Sequence, residues 1–250
     1  MVDTDGAWES IARSDPYWGV ISSDEFLGAD LGDGAEERFF RSGEVHIAHV
    51  LDVLHRHIDP DFTPSSALDF GCGVGRLLLP LARVCERVVG VDVSATMLKR
   101  ASGHLAAAGL SNVDLRYALE LDSIRPPVDL VHSALVLQHI NPVRGMVVVD
   151  GLLDVLSPGG CGALQFHLRG AGSALVRSSR RVREQSQVVN ALFVRALRRP
   201  ARNALVLMHA YDTTVVLRAL AAKGAPAVFI ETGARPDGDT NATVYFRKQG

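Results

Sequence analysis

One glycine-rich stretch constrains this chain more than any other. Asp69–Gly75 (DFGCGVG) follows a short apolar run and precedes, from Arg76, a segment whose apolar residues recur at helical spacing. A strand that turns sharply into a helix needs glycine where φ is positive or where the backbone approaches a ligand too closely for a Cβ atom. The dinucleotide fingerprint is G-x-G-x-x-G, and Arg76 stands where its third glycine would be. The spacing therefore argues against NAD or FAD.

Strand-like and helix-like segments alternate along most of the chain. Short runs typical of strands occur at 67–70, 88–92, 113–117, 128–133, 162–167, 227–231 and 243–247. Helical patterns separate most of them, whereas a Gly/Pro/Asp loop alone separates the last two, which predicts a hairpin. The sequence thus predicts an α/β fold, with a doubly wound, seven-stranded, mainly parallel sheet and an antiparallel C-terminal hairpin.

Two regions fall outside this alternation. We predict an N-terminal helical cap over 1–60, a core over 61–168, a helical basic insertion after strand 5 over 169–209, and the rest of the core over 210–250. The cap is rich in aromatic and acidic residues, and its last helix is expected to run from Ser42 or Gly43 to His57. Either the cap simply packs on the sheet, or it is a lid whose Tyr17 and Trp18 face a ligand. The insertion, with nine arginines against one glutamate, is expected to be a substrate lid.

Composition limits the class of protein. The net charge of −2 suggests neither a nucleic-acid nor a membrane partner, and no run approaches the roughly 20 apolar residues of a membrane span. Three cysteines with apolar neighbours are typical of reduced thiols, which predicts a cytoplasmic protein. The basic insertion contains one aromatic residue, Phe193, and hence no series on which bases would stack. Nucleic acid is therefore not favoured as a partner, and a homodimer is left open.

Four segments, in order, resemble the motifs of class I methyltransferases that depend on S-adenosylmethionine (SAM). Asp69–Gly75 resembles their first motif, and the other three segments are Val91–Met97, Val128–Ile140 and Leu156–Gly160. The final hairpin is also what that fold adds to a Rossmann-like sheet. The resemblance covers about 67–167 by motif and 211–247 by architecture. The cap and the insertion lie outside the general family pattern.

The resemblance implies SAM as the cofactor and no metal. It implies cofactor contacts by Asp69, Gly71, Gly73, Asp92, Val93, Met97, Ala118, Leu119, Ser133 and Gln138. Arg41 would reach the SAM carboxylate if the cap is a lid. Asp92 would accept hydrogen bonds from the ribose diol, or would merely face the dipole of the following helix. Met97 would line the adenine or belong to the core. The acid that the family often carries after the third strand is displaced here, so backbone atoms of Ala118 and Leu119, or a shifted Glu120, are expected to contact the adenine.

The implied activity is methyl transfer to a small-molecule acceptor. A hydroxyl or ammonium acceptor needs a base, and His139 and His167 follow or end strands at the edge where open α/β sheets bind ligands. Oxygen is therefore the favoured acceptor atom, with nitrogen and carbon left open. The alternative role of His139 is structural, namely to hold its loop and the cofactor. The alternative for Arg41 is an ion pair with Glu37 or Glu44 at the surface. Two other functions remain: a SAM-fold enzyme of non-methylating chemistry, and a non-catalytic SAM-binding partner.

Overall fold

The computed structural model describes residues 5–32, 34–168, 208–226, 228–234 and 240–250. The helices are α1 Asp5–Ser14, α2 Pro16–Val20, α3 Ala35–His57, α4 Leu78–Val84, α5 Ala95–Ala107, α6 Pro142–Val155 and α7 Thr213–Ala222. The strands are β1 Ser66–Phe70, β2 Arg87–Asp92, β3 Val113–Tyr117, β4 Val128–Ser133, β5 Leu156–Leu168, β6 Val228–Ala234 and β7 Thr240–Arg247. Short 3-10 helices occupy Asp24–Phe26, Ala118–Ser123 and Leu137–His139.

All seven strands form one sheet, in the order β3-β2-β1-β4-β5-β7-β6. The first five strands pair in parallel, whereas β7 is antiparallel to both β5 and β6. The predicted fold class is therefore confirmed, including the C-terminal hairpin. Helices α1, α2 and α3 precede the sheet, as the sequence predicts. The predicted basic insertion lies almost wholly outside the described residues. No helix in the described part of the chain is long and apolar enough to cross a membrane.

Residues 157–160, which precede the predicted strand at 162–167, lie within β5. Val128 of β4 pairs with Leu156, and Leu130 pairs with Cys161, so the four residues between bulge out of the ladder. Gly159 has a φ of +80°, which suits glycine, and its N–H donates to the carbonyl of Lys248. The strand therefore begins earlier than the apolar pattern indicates.

Helix α3 is longer at its N-terminus than the sequence predicts. It begins at Ala35, and Ser42, the expected cap, lies inside it with its Oγ donating to the carbonyl of Phe39. Gly43 is the point of closest packing, because a Cβ atom there would lie 2.3 Å from the carbonyl oxygen of Arg76. Residue 43 is therefore glycine so that α3 can lie directly against the backbone that leaves the glycine turn.

Replacing Gly43 by alanine should destabilise the protein by about 2 kcal/mol, because the clash is with backbone and cannot be relieved by a rotamer change. Gly103, inside α5, is the matched control, since nothing lies within 4 Å of a Cβ atom there. Gly103→Ala should raise stability by about 0.5–1 kcal/mol, the usual gain in a helix interior. Urea unfolding of both variants measures the difference. Equal effects of the two substitutions would contradict the packing argument.

Candidate functional site

A cavity of about 390 Å³ lies at the carboxyl ends of β1, β2 and β4. Its volume falls within the roughly 300–1,000 Å³ typical of small-molecule sites. Gly71 and Gly73 contribute the glycine turn, and Asp92, Val93 and Met97 contribute the end of β2 and the start of α5. The remainder of the lining is mostly apolar and comes from the β3 and β4 ends, α6 and the cap. This is the edge at which open α/β sheets bind ligands.

The glycine turn is closely packed on both sides. Gly71 has a φ of +78°, and a Cβ atom on it would lie 2.2 Å from Cγ2 of Val136. Gly73 has a φ of +53°, and a Cβ atom on it would lie 2.7 Å from Cγ2 of Val20, in α2. Glycine is therefore needed for conformation and for close approach at both positions. The second contact also shows that the cap reaches the turn.

Asp92 joins the glycine turn to the start of α5. Its Oδ2 accepts from the backbone N–H of Gly73 at 2.8 Å, and its Oδ1 accepts from that of Ser94 at 2.9 Å. Burial raises the pKa of the Asp92 carboxyl to about 6, although the N–H donors of Ser94 and Gly73 act in the opposite direction. The two carboxylate oxygens have four lone pairs between them, and the N–H of Val93 also acts on the group, so capacity for at least one further donor remains.

The cap covers the cavity with a different aromatic residue from those predicted. Trp8 of α1 lines the cavity and packs edge-on against His139, with ring centroids 4.9 Å apart. Tyr17 and Trp18 do not line it and are buried. Tyr17 packs at right angles on Phe39, and its hydroxyl lies 3.1 Å from Nε2 of His104. Tyr17 therefore anchors α2 to α3 and α5.

Two polar contacts attach α1 to opposite walls of the cavity. Glu9 accepts hydrogen bonds from the hydroxyls of Ser94 and Thr96, both at 2.6 Å, at the N-terminus of α5. These donors lower the pKa of the Glu9 carboxyl to about 2. Asp5 accepts two hydrogen bonds of 2.8 Å from the guanidinium of Arg144 in α6. The sequence did not single out Trp8, Glu9 or Arg144.

Only one of the two predicted candidate bases lines the cavity. His139 lies in the 3-10 helix after β4, and its Nε2 is 3.0 Å from Nε2 of Gln138. The same amide nitrogen lies 3.4 Å from the carbonyl of Leu135, which orients the amide so that its N–H groups face both acceptors. His167 is buried in β5 outside the cavity, with its Nδ1 3.4 Å from Oδ1 of Asn241.

The other predicted cofactor residues divide into two groups. Val93, Met97 and Ala118 line the cavity together with the glycine turn and Asp92, and Leu119 follows Ala118 in the same 3-10 helix. The shifted acid Glu120 lies beside Arg116 and not in the cavity lining, whereas Asp122, two residues further on, lines the cavity.

The second group lies outside the cavity lining. Oδ1 of Asp69 is 2.8 Å from Nδ1 of His132, and the Ser133 hydroxyl donates to the carbonyl of Phe70. Arg41 is exposed and pairs with Glu37, the alternative that the sequence offered. In the described part of the chain, no group of three or more His, Cys, Asp or Glu side chains has the arrangement needed to hold a metal.

Comparison with known proteins finds similarity over the core. Residues 67–160 match a family model described as a methyltransferase domain. The match spans 94 of the 250 residues, all of them within the part of the chain that forms β1 to β5 and the helices between them. A ubiquinone biosynthesis O-methyltransferase of Methylocella silvestris is 30% identical over 141 residues, which are 51% of this chain and 54% of that protein. A 23S rRNA (uracil(1939)-C(5))-methyltransferase of Legionella pneumophila is 34% identical over 92 residues, 36% of this chain and 20% of that protein.

These matched regions span about half of one curated relative and a fifth of the other. Two solved structures share the fold over nearly the whole chain. Magnesium protoporphyrin IX methyltransferase from Synechocystis PCC 6803 with bound SAH gives a TM-score of 0.63 at 17% identity, covering 98% of each chain. The N-methyltransferase NodS of Bradyrhizobium japonicum, in complex with S-adenosyl-L-homocysteine (SAH), gives 0.60 at 17% identity, covering 100% of each.

The Gln138 contact predicts the tautomer of His139. Because the amide donates to Nε2, the neutral ring should carry its proton on Nδ1. Gln138→Glu should replace that donor with a carboxylate and raise the pKa of His139 by about one unit or more. Long-range ¹H–¹⁵N NMR spectra of the histidine rings report both quantities. A proton on Nε2 in the unsubstituted protein would show that the amide has the opposite orientation.

Proposed function

We propose that the chain is a SAM-dependent methyltransferase acting on a small molecule, with oxygen as the favoured acceptor atom. The observation that carries the proposal is the position of Asp92. Its carboxylate lines the cavity and is hydrogen-bonded to the glycine turn, within the stretch that matches the methyltransferase family model. A strand-ending carboxylate beside a glycine turn is the arrangement that binds a nucleoside diol and an adjoining charged group.

The cavity offers partners for each part of the cofactor. Asp92 would accept hydrogen bonds from the ribose hydroxyls through its remaining lone pairs, while Val93 and Met97 would contact the adenine. Asp122, which lines the same cavity, is an acceptor for the adenine amino group. Bound SAM supplies an electrophilic methyl group on a sulfonium that leaves as a neutral thioether and needs no acid. The protein therefore has to orient the acceptor, exclude water and receive the acceptor's proton.

His139 is the residue we propose to receive that proton. It lines the cavity on the loop after β4, beneath Trp8. Its Nε2 accepts from Gln138 and its Nδ1 carries the ring proton, so the acceptor hydroxyl would have to replace Gln138 as the donor to Nε2. The relatives named ubiquinone biosynthesis O-methyltransferases, 30% and 31% identical, support an oxygen acceptor. The structural likeness to an N-methyltransferase keeps nitrogen as the alternative.

We also propose a cytoplasmic location. Its support is that all three cysteines are buried and unpaired, as expected where thiols remain reduced. The rRNA methyltransferase match does not extend the proposal to RNA, because it covers only a fifth of that protein.

Cofactor binding should depend on pH through Asp92. Ribose hydroxyls donate to the ionised carboxylate, whose pKa is about 6. The affinity for the cofactor should therefore be highest above pH 6 and should fall as the carboxylate becomes protonated below it. Calorimetric titration with SAH should show the affinity falling by about tenfold per pH unit below pH 6. Asp92→Asn should bind SAH at least tenfold more weakly and lose the pH dependence. Glu120→Gln, outside the cavity, is the control, and a flat profile in the unsubstituted protein would contradict the role of Asp92.

Methyl transfer should depend on His139 and not on His167. With tritiated SAM and a panel of phenols and amines, His139→Gln should lower kcat by about 10²–10⁴-fold for hydroxyl acceptors. Its SAH affinity should stay within threefold. His167→Gln is the matched control, because that ring lies outside the cavity. SAH binding without labelling of any acceptor would favour the non-methylating enzyme or the non-catalytic partner.

A further inference from the structure

Helix α1 spans the cavity with one face. Asp5, Trp8 and Glu9 stand at positions i, i+3 and i+4, and therefore project from the same side of the helix. Asp5 binds Arg144 of α6, Glu9 binds the N-terminus of α5, and Trp8 lies between them in the cavity lining. The helix is thus attached through its first residue and through its middle, and Trp8 lies over the cavity between the two attachments.

We infer that α1 is a strap that must open for the cofactor to enter or leave the cavity, and that Glu9 and the Asp5–Arg144 pair are its two latches. The inference rests on the proposed function, since it concerns the same cavity. It goes beyond that function by assigning control of cofactor exchange to three residues, none of which belongs to the glycine turn or to the end of β2.

The strap is suited to opening without unfolding of the sheet. An isolated helix of ten residues is marginal in water, so α1 keeps its position through its contacts. Ile11 and Ala12 are its buried residues, and Asp5 and Arg144 are 40% and 38% exposed. Exposed ion pairs contribute little each, which keeps opening well below the free energy of global unfolding.

The Glu9 latch is also connected to the cofactor-binding acid. Ser94 donates its hydroxyl to Glu9 and its backbone N–H to Asp92, while its Oγ accepts from the N–H of Met97. One residue therefore contacts both the strap and the carboxylate proposed to hold the ribose.

Stopped-flow binding of SAH tests the strap. In Glu9→Ala and, separately, in Asp5→Asn, association and dissociation should both become about tenfold faster, with Kd changed by less than threefold, because a gate limits passage in both directions. Glu44→Ala is the matched control, since that glutamate pairs α3 with Arg83 outside the cavity. Unchanged rates in both variants would overturn the inference. Faster dissociation alone, with proportionally weaker binding, would make these residues direct ligand contacts and would also overturn it.

Hydrogen exchange provides a readout that needs no ligand. The amides of α1 should exchange about tenfold faster in Glu9→Ala and Asp5→Asn than in the unsubstituted protein, whereas those of α3 and β1 should not change. Unaltered exchange in α1 would overturn the strap even if SAH binds normally. Failure of the unsubstituted protein to bind SAH would instead contradict the proposed function, so the two failures are distinguishable. Arg144→Gln should reproduce the exchange result of Asp5→Asn if the pair is the latch.

Discussion

The carboxylate of Asp92 is the contact on which the candidate site depends. Its two oxygens accept from Gly73 and Ser94, which belong to the turn after β1 and the turn after β2. The N–H groups of Gly71 and Cys72 both donate to the carbonyl of Val91, just before Asp92. Two βα turns are therefore held at a fixed separation by the end of one strand. The cap contacts the turn after β2 as well, because Glu9 accepts a hydrogen bond from the Ser94 hydroxyl.

The pKa values of the two carboxylates in this arrangement, Asp92 and Glu9, are shifted in opposite directions. Burial raises the pKa of Asp92 to about 6, so the folded protein holds that proton more tightly than the unfolded chain does. The contribution of Asp92 to the free energy of unfolding therefore falls as pH rises from about 4 to about 6. The fall is roughly 3 kcal/mol, since each pKa unit corresponds to about 1.36 kcal/mol. Glu9, whose pKa is lowered to about 2, stabilises the fold above its unfolded value of 4.5 and loses that contribution as pH falls towards 2. Retaining a buried acid at Asp92 thus lowers stability at neutral pH, a cost consistent with a ligand-binding role.

The sequence predicts those parts of the site whose residues lie close together along the chain. The glycine turn and the acid that ends β2 are local patterns, and the structure has both. The strap was missed because its partners are distant in sequence: Glu9 and Thr96 are 87 residues apart, and Asp5 and Arg144 are 139 apart. The choice of Tyr17 and Trp18 as the aromatic residues that face the ligand was wrong for a different reason. Aromatic character favours burial in a core and in a ligand site equally, so it did not distinguish Tyr17, which is core, from Trp8, which lines the cavity.

The division between a core that carries the motifs and a cap that lies outside them also explains which relatives the chain matches. The family model ends at residue 160, and the curated matches cover 36% and 51% of the chain, with names that specify an RNA base in one case and a quinone pathway in the other. A shared core with different named acceptors is expected if that core holds the cofactor. In this chain the residues of the cavity that lie outside 67–160 come from α1 and α2, and among them Trp8 contacts the candidate base His139. The residues that select the methyl acceptor should therefore be sought first in the cap, where one helix both covers the candidate cofactor cavity and contacts the candidate base.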